Sequence, residues 1–367
     1  MQDSFEENDL GQNTKRVSTE MIKCPACGGN MVFDPESQML YCAHCDTKQT
    51  FKQTFEAKEI DLLSGFDDNR KWNKEEAVCF TCDNCGAKVV LNKGETSISC
   101  PFCGTAHVQS AKELDGLKPN ALLPFLFGID RAVEIVKNWA RKKLFAPSKF
   151  KKNMNTQNVK GVYTPCFTFD SKTTSTYVGR IGKHYTRVVG SGKNRRTETY
   201  TVWRDISGTF YENFDDILIT AGKNFDQQKL NKVAPYQTNG AREYDENYML
   251  GFMAYHYDKE IVDCWAEAKN LMDRVLRNSI LSRYNYDVVA YLNVSTSHEA
   301  VTYKYVMLPV YMGHFKHGKK HYNFYVNGTS GKVWGKTPVS ALRVLSAIGI
   351  GLLAVGLIGL IAYLVNK

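Results

Sequence analysis

The cysteine pattern constrains this chain more tightly than any other feature of it. Cys24, Cys27, Cys42 and Cys45 recur as Cys82, Cys85, Cys100 and Cys103, each shifted by 58 positions, so that both copies read Cys-x2-Cys-x14-Cys-x2-Cys. Two cysteines separated by two residues sit too close in a knuckle turn for an ordinary structural disulfide, yet they suit one tetrahedral ion at about 2.3 Å per sulfur. The pattern predicts two tandem zinc ribbons, small β domains of residues 21–51 and 77–109, each holding one Zn2+. Gly28, Gly86 and Gly104 each follow a knuckle cysteine and supply the backbone freedom the turn needs. Four sulfurs fill every coordination position and leave none for water or substrate. Both ions are therefore expected to be structural, and the ribbons to unfold without them. Cys79 offers a rival knuckle in Cys79-x2-Cys82-x2-Cys85, although the 58-residue register favours Cys82 and Cys85. His44 and His107 lie beside ligand cysteines and read as bystanders.

At 367 residues the chain has room for two or three domains. Residues 1–20 are polar and contain no apolar signal-peptide core; they read as a disordered lead, which leaves the thiols in a reducing cytoplasm. Residues 52–76 read as a charge-rich linker with a short helix, and residues 110–338 as an α+β domain with an antiparallel sheet. Within that domain, Leu123-Pro124-Phe125-Leu126-Phe127 predicts a strand leading to Asp130 as a helix N-cap. Ala132, Val133, Val136, Trp139, Ala140 and Leu144 then recur at helical spacing before Pro147. Residues 159–220 alternate apolar and polar side chains, cut by turns at Gly182-Lys183 and Gly190-Ser191-Gly192, and predict an antiparallel meander. A second helix is expected after a cap at Asp258, with Ile261, Trp265, Ala268, Met272, Val275 and Leu276 on one face. Strands resume near Tyr286 and run through Tyr303–Tyr311 and Tyr322–Val326 to a turn at 327–331. A Pro-centred, Tyr-containing strand, Tyr163-Thr164-Pro165-Cys166-Phe167, is echoed at Tyr305–Tyr311 around Pro309, as a duplicated α+β core would require.

Val344 to Val365 is a run of 22 residues without a charge, thirteen of them Leu, Ile or Val. As a helix it is about 33 Å long, against a bilayer hydrocarbon core of about 30 Å, and it predicts one C-terminal transmembrane helix, 344–365. Only Asn366 and Lys367 follow, so the chain reads as tail-anchored, and Lys332, Lys336 and Arg343 fit a cytoplasmic side for the N-terminal bulk.

The formal charge of +9 conceals two halves of opposite sign: residues 1–110 hold 11 Lys/Arg against 17 Asp/Glu, and the remainder 36 against 21. Neither ribbon carries the basic stripe that phosphate contacts require, which favours a protein partner over nucleic acid. Between Ile135 and Phe169 there is no acidic residue, while Lys137, Arg141, Lys142, Lys143, Lys149, Lys151, Lys152 and Lys160 are all present. The plain reading is a solvated helix face and loop; the sharper one is a surface drawn to anionic lipid headgroups by a domain tethered near a bilayer. Gly331-Lys332-Val333-Trp334-Gly335-Lys336-Thr337 imitates a phosphate-binding loop, but three residues separate its glycines where four are needed, and Pro338 follows. No Ser/His/Asp set, His-Glu-x-x-His or paired-carboxylate signal stands out, so neither an enzyme nor a small-molecule substrate is inferred. Cys166 and Cys264 read as buried core thiols.

The twin ribbons, LLPFLFGIDRAVEIVKNWARKKLFAPSKFK followed by GVYTPCFTFD, then YKYVMLPVYM, NFYVNGTSGKVWGKTP and the terminal helix resemble bacterial zinc-ribbon membrane proteins linked to envelope stress. Such proteins go by TFIIB-type zinc ribbon or, misleadingly, primosomal helicase (PriA-like). Phe167 and Tyr311 stand where Trp is expected in such relatives, and Thr329-Ser330 where Gln-Thr is more usual. The resemblance implies a non-enzymatic, single-pass adaptor of the bacterial cytoplasmic membrane, working beside phage-shock protein A homologues and flotillin-like SPFH proteins. The alternative is a nucleic-acid-binding accessory of replication or transcription.

Overall fold

Segments rich in β-branched and aromatic residues give this chain strands of a length rarely reached in globular domains. The computed structural model describes residues 22–64, 78–82, 84–91, 98–100, 106–107, 112–113, 116–148, 150, 159–317 and 320–366. In chain order its strands are β1 (Met31–Asp34), β2 (Met39–Cys42), β3 (Lys48–Gln49), β4 (Ile60–Asp61), β5 (Val78–Thr81), β6 (Lys88–Leu91), β7 (Ile98–Ser99), β8 (Ala106–His107), β9 (Lys112–Glu113), β10 (Ala121–Leu122), β11 (Lys160–Val189), β12 (Arg196–Thr220), β13 (Arg242–Glu243), β14 (Met253–Tyr255), β15 (Val288–His317), β16 (Lys320–Asn327) and β17 (Val333–Gly335). The α-helices are α1 (Ile129–Arg141), α2 (Gln227–Val233), α3 (Ile261–Ser282) and α4 (Ala341–Val365).

The frame is β11 flanked by β12 and β15, both antiparallel to it. With 30 residues each, β11 and β15 contain about 100 Å of strand. The sheet is mixed rather than purely antiparallel, because β10 runs parallel to β15 and β14 parallel to β11. Near the start of β11 both faces are apolar and buried. Tyr163, Phe167 and Phe169 belong to one core with Tyr305, Met307 and Tyr311, while Val162 and Cys166 belong to another with Val306, Leu308, Val310, Leu230 and Val233. Beyond Asp170 the pattern switches to strict alternation: Ser171, Thr173, Ser175, Tyr177 and Ile181 are buried, while Lys172, Thr176, Val178 and Arg180 are exposed. The covering element there is α3, which buries Ile261, Cys264, Ala268, Met272, Leu276 and Ile280.

Pro165 and Pro309 stand in central strands, where a missing N–H normally costs a ladder bond. Each sits where its strand changes neighbours on its outer side. Pro165 falls between β14, paired at Val162 and Tyr163, and β12, paired from Cys166. Pro309 falls between β10, paired at Val306 and Met307, and β16, paired from Val310. The two segments also lie side by side, Tyr163 opposite Pro309 and Pro165 opposite Met307. The echo seen in the sequence is thus a shared pattern of strand exchange about the centre of the sheet.

Several expected boundaries move. Gly182-Lys183 is not a turn: it lies inside β11, where Gly182 faces Trp203 and a Cβ would meet Thr201 Cγ2 at 2.5 Å and Val288 Cγ1 at 2.9 Å. Only the Gly190–Asn194 region turns, with Gly190 and Gly192 at φ 94° and 58°. Asp258 does not cap the second helix, which starts at Ile261 after Glu260; its carboxylate instead accepts from Lys223 N and from Tyr255 Oη. The first helix begins after Gly128 and places Asp130 in its first turn. Residues 52–64 form no helix: only β4, paired to β15, is regular, and residues 62–64 turn after it; the rest of the expected linker helix lies outside the described residues. The phosphate-loop look-alike itself holds the strand β17, and the next helix starts only at Ala341, beyond Pro338, so no helix N-terminus presents its amides at Lys336-Thr337.

Candidate metal centres

The first cysteine site is built on the hairpin β1–β2, with β3 completing a three-stranded sheet. Asp34 shapes the hairpin turn, its carboxylate accepting from Glu36 N at 3.2 Å and from Ser37 Oγ at 2.6 Å. In the knuckle, Cys24 N donates to Gly29 O at 2.7 Å and Gly28 N to Cys24 O at 2.8 Å, and Gly28 takes φ 71°. Gly29 packs tightly against the cluster, since a Cβ would meet the sulfurs of Cys27 and Cys42 at 3.3 Å. The four sulfurs of Cys24, Cys27, Cys42 and Cys45 lie within 4.8 Å of one another, with Cys24–Cys45 and Cys27–Cys42 each at 3.5 Å. Four thiolates around one tetrahedral ion stand about 3.8 Å apart, so the cluster could hold a metal ion with little movement. Without a cation such a set resists full ionisation. Cys24 is drawn down to about 6: burial opposes this, but the N–H groups of Cys27 and Ala26 and the thiols of Cys45 and Cys42 favour its thiolate. Cys27 goes up to about 12 although Gly29 N–H favours its thiolate, because the sulfurs of Cys45 and Cys42 crowd it.

This site is docked on the body. Phe33 N donates to Leu250 O at 2.9 Å, and the Phe33 ring packs edge-on against Tyr248 at 5.0 Å. Gln38 Nε2 donates to Phe125 O at 2.8 Å. Arg242 gathers the contact: its Nη1 donates to Gln38 Oε1 at 3.1 Å, Gln53 Oε1 at 2.8 Å and Tyr248 Oη at 2.8 Å, with the guanidinium over the Phe55 ring.

The second site repeats the knuckle. Cys82 N donates to Ala87 O at 2.8 Å and Gly86 N to Cys82 O at 2.7 Å, with Gly86 at φ 70°. The sulfurs of Cys82, Cys85 and Cys100 lie within 4.8 Å of one another, Cys85 and Cys100 at 3.5 Å, and this cluster too could hold a metal ion. Cys103 lies outside the described residues. Cys79 does not join that group; it pairs with Val90 inside β5–β6, and burial pushes its thiol up to about 11. Unlike the first site, this hairpin is part of the main sheet, because β6 pairs with β14 and β5 with β9. Cys264 is buried in the body and pushed up to about 12 by burial; Cys166 is buried likewise and raised further. Neither has the character of a reactive thiolate.

Sequence reasoning missed one polar cluster. Glu59, Asp170 and Asp215 bring carboxylate oxygens within 4.8 Å of one another, and Lys304, 8% exposed, answers them with Nζ 3.3 Å from Glu59 and 2.8 Å from Asp216. These residues come from separate segments joined only by the pairing of β4, β12, β11 and β15, so no local spacing announces them.

The basic stretch divides. Lys137, Arg141, Lys142 and Lys143 are exposed on α1 and the loop after it, whereas Lys149, Lys151 and Lys152 lie outside the described residues. That loop touches the base of α4: Ser340 N donates to Phe145 O at 2.8 Å, and Arg343 donates to Leu144 O at 3.0 Å and to Ser148 Oγ at 2.6 Å. Helix α4 is long and apolar enough to cross a membrane, with mean hydropathy 2.6, and none of its residues is buried.

No family model matches the chain, and neither does any solved structure. It is similar to a Bacillus subtilis (strain 168) protein described as Uncharacterized protein YdjG, 26% identical over 326 residues, which is 88% of this chain and 91% of the relative. The likeness runs well beyond the cysteine repeat and takes in most of both chains.

Proposed function

We propose that this protein is a non-enzymatic, membrane-anchored adaptor in which Zn2+ holds both cysteine sites and the sheet-rich body receives a cytoplasmic protein partner. The observation that carries the reading is the pairing of a closed four-sulfur site with an apolar terminal helix hydrogen-bonded to the same body. A site with four sulfurs has no open position for water or substrate, so its metal organises structure rather than chemistry. The resemblance to envelope-stress zinc-ribbon proteins supports a partner of the SPFH (flotillin-like) or phage-shock protein A type, at the bacterial cytoplasmic membrane with the N-terminal bulk in the cytoplasm. Crosslinking in intact membranes, followed by purification in detergent and mass spectrometry, tests this. Recovery of such a partner, with two zincs per chain by elemental analysis, is expected; a chain that crosslinks to neither class overturns the adaptor reading.

One observation favours a second reading, a nucleic-acid-binding accessory. Past Gly182 the β11–β12 hairpin runs without β15, and it carries Arg187, Lys193, Arg195 and Arg196 against Glu198, with Tyr185 and Tyr200 stacked at 6.0 Å. A two-stranded ribbon of this kind fits a major groove. Full-length protein in nanodiscs that binds duplex DNA with an affinity falling steeply between about 50 and 200 mM salt would replace the first reading with this one.

A further inference from the structure

The chain does not reach its terminal helix through a free tether. Ser340 and Arg343 are hydrogen-bonded to the backbone of Phe145 and Leu144, so the loop after α1 lies within one helical turn of Val344, where the charge-free run begins. If that run enters hydrocarbon at Val344, the loop stands at the level of the headgroups. Its side chains are unusual for a surface facing water: Leu144 is 77% exposed and Phe145 44%, beside Leu342 at 75%. Three large apolar groups bordered by Lys142, Lys143 and Arg343 match the layering of a membrane interface, apolar tips below a ring of cations.

We propose that this loop is a second membrane contact. Leu144 and Phe145 seat in the boundary between headgroups and acyl chains of an anionic leaflet, while Lys142, Lys143 and Arg343 meet lipid phosphates. The body then stands at a fixed tilt on the bilayer instead of swinging on its anchor. The occupant is a lipid surface rather than a protein because the patch is continuous with the helix base and, among the described residues, the charged groups bordering it are all cationic. The inference rests on reading α4 as a membrane span.

The test is photocrosslinking of the full-length protein in nanodiscs of phosphatidylcholine and phosphatidylglycerol, the latter carrying an acyl-chain diazirine, with adducts mapped by mass spectrometry. Adducts at 144–145 as well as along 344–365 are expected. Adducts along the helix but none at 142–146 would overturn the second contact and leave the span standing; adducts at neither would remove the span as well. In a Leu144→Ser, Phe145→Ser variant the loop adducts should fall at least fivefold while those along the helix stay unchanged, the helix labelling serving as the check that the variant is folded and inserted. Replacing phosphatidylglycerol by a diazirine-bearing phosphatidylcholine in a neutral disc should cut loop labelling severalfold, and equal labelling in the two discs would overturn the role given to the cations.

Discussion

At the first cysteine site Cys24 N donates to Gly29 O at 2.7 Å; at the second, Cys82 N donates to Ala87 O at 2.8 Å, and Gly28 and Gly86 stand at φ 71° and 70°. The local geometry is the same, but the attachment differs. The first site has a small sheet of its own, β1–β2–β3, held on the body by aromatic packing, one backbone bond from Phe33 and the donors of Arg242. The second is continuous with the main sheet through β14. A repeated ligand motif fixes a knuckle; what the hairpin joins is decided by the residues outside the motif.

Metal removal should separate the two most strongly. In isolated small sites metal binding supplies most of the folding free energy, so stripping the ions, or Cys42→Ser at a sulfur that is fully buried, should destabilise the first site by several kcal/mol. Hydrogen exchange should then show protection lost across 31–42 but partly kept across 88–91, where the ladder to β14 persists. Equal loss in the two hairpins would break the comparison. Elemental analysis of Cys42→Ser should give one metal ion fewer than wild type.

Arg242→Met comes next. It leaves Gln38, Gln53 and Tyr248 without their shared donor in a half-buried contact, a loss of about 2–3 kcal/mol. The metal content should not change, because no ligand is touched. Limited proteolysis between residues 46 and 58 should accelerate about tenfold or more, and an unchanged rate would mean that aromatic packing alone holds the first site.

These differences mark what the sequence could and could not convey. The cysteine repeat, the register choosing Cys82 over Cys79, most of the burial stripe of α3 and the terminal helix are local signals legible from spacing; in that stripe Ile261, Ala268, Met272 and Leu276 are buried, whereas Val275 is exposed. The docking of the first site is not, because Arg242 lies 204 residues from Gln38 and looks like any basic residue in a loop. Gly182-Lys183 read as a turn because glycine punctuates most strands; here it instead makes room for Trp203 and Val288, a reason visible only once three strands lie side by side. The cluster around Lys304 depends on the same long-range pairing.

Adding a methyl group at the knuckles should have nearly equal effects at the two sites. No neighbour lies within 4 Å of a Cβ at Gly28 or Gly86, so the cost of Gly28→Ala or Gly86→Ala is the backbone strain of a positive φ, about 1–2 kcal/mol. Metal affinity, measured by competition with a chelator, should drop about tenfold at either site. A much larger drop at one would show that the knuckles are not equivalent despite their matching bonds.

The smallest effect concerns the connection between the sites, which Glu59 pins to the body. Burial pushes the Asp170 carboxyl up to about 6, with Asp216 N–H opposing and the neighbouring Glu59 carboxylate adding to the rise. A folded value above the ordinary 3.8 means that proton uptake favours the folded form. Its contribution is complete below about 3.8 and fades as pH rises through about 6, so the contact should loosen slightly from pH 5 to pH 7.5. Glu59 is exposed and Lys304 offsets part of the repulsion, which keeps the change below about 1 kcal/mol. Exchange at 57–61 should therefore rise modestly over that interval, and Asp170→Asn, which cannot ionise, should flatten the dependence. If the Asn variant keeps the full slope, the titrating group lies elsewhere and the connection does not sense this carboxyl pair.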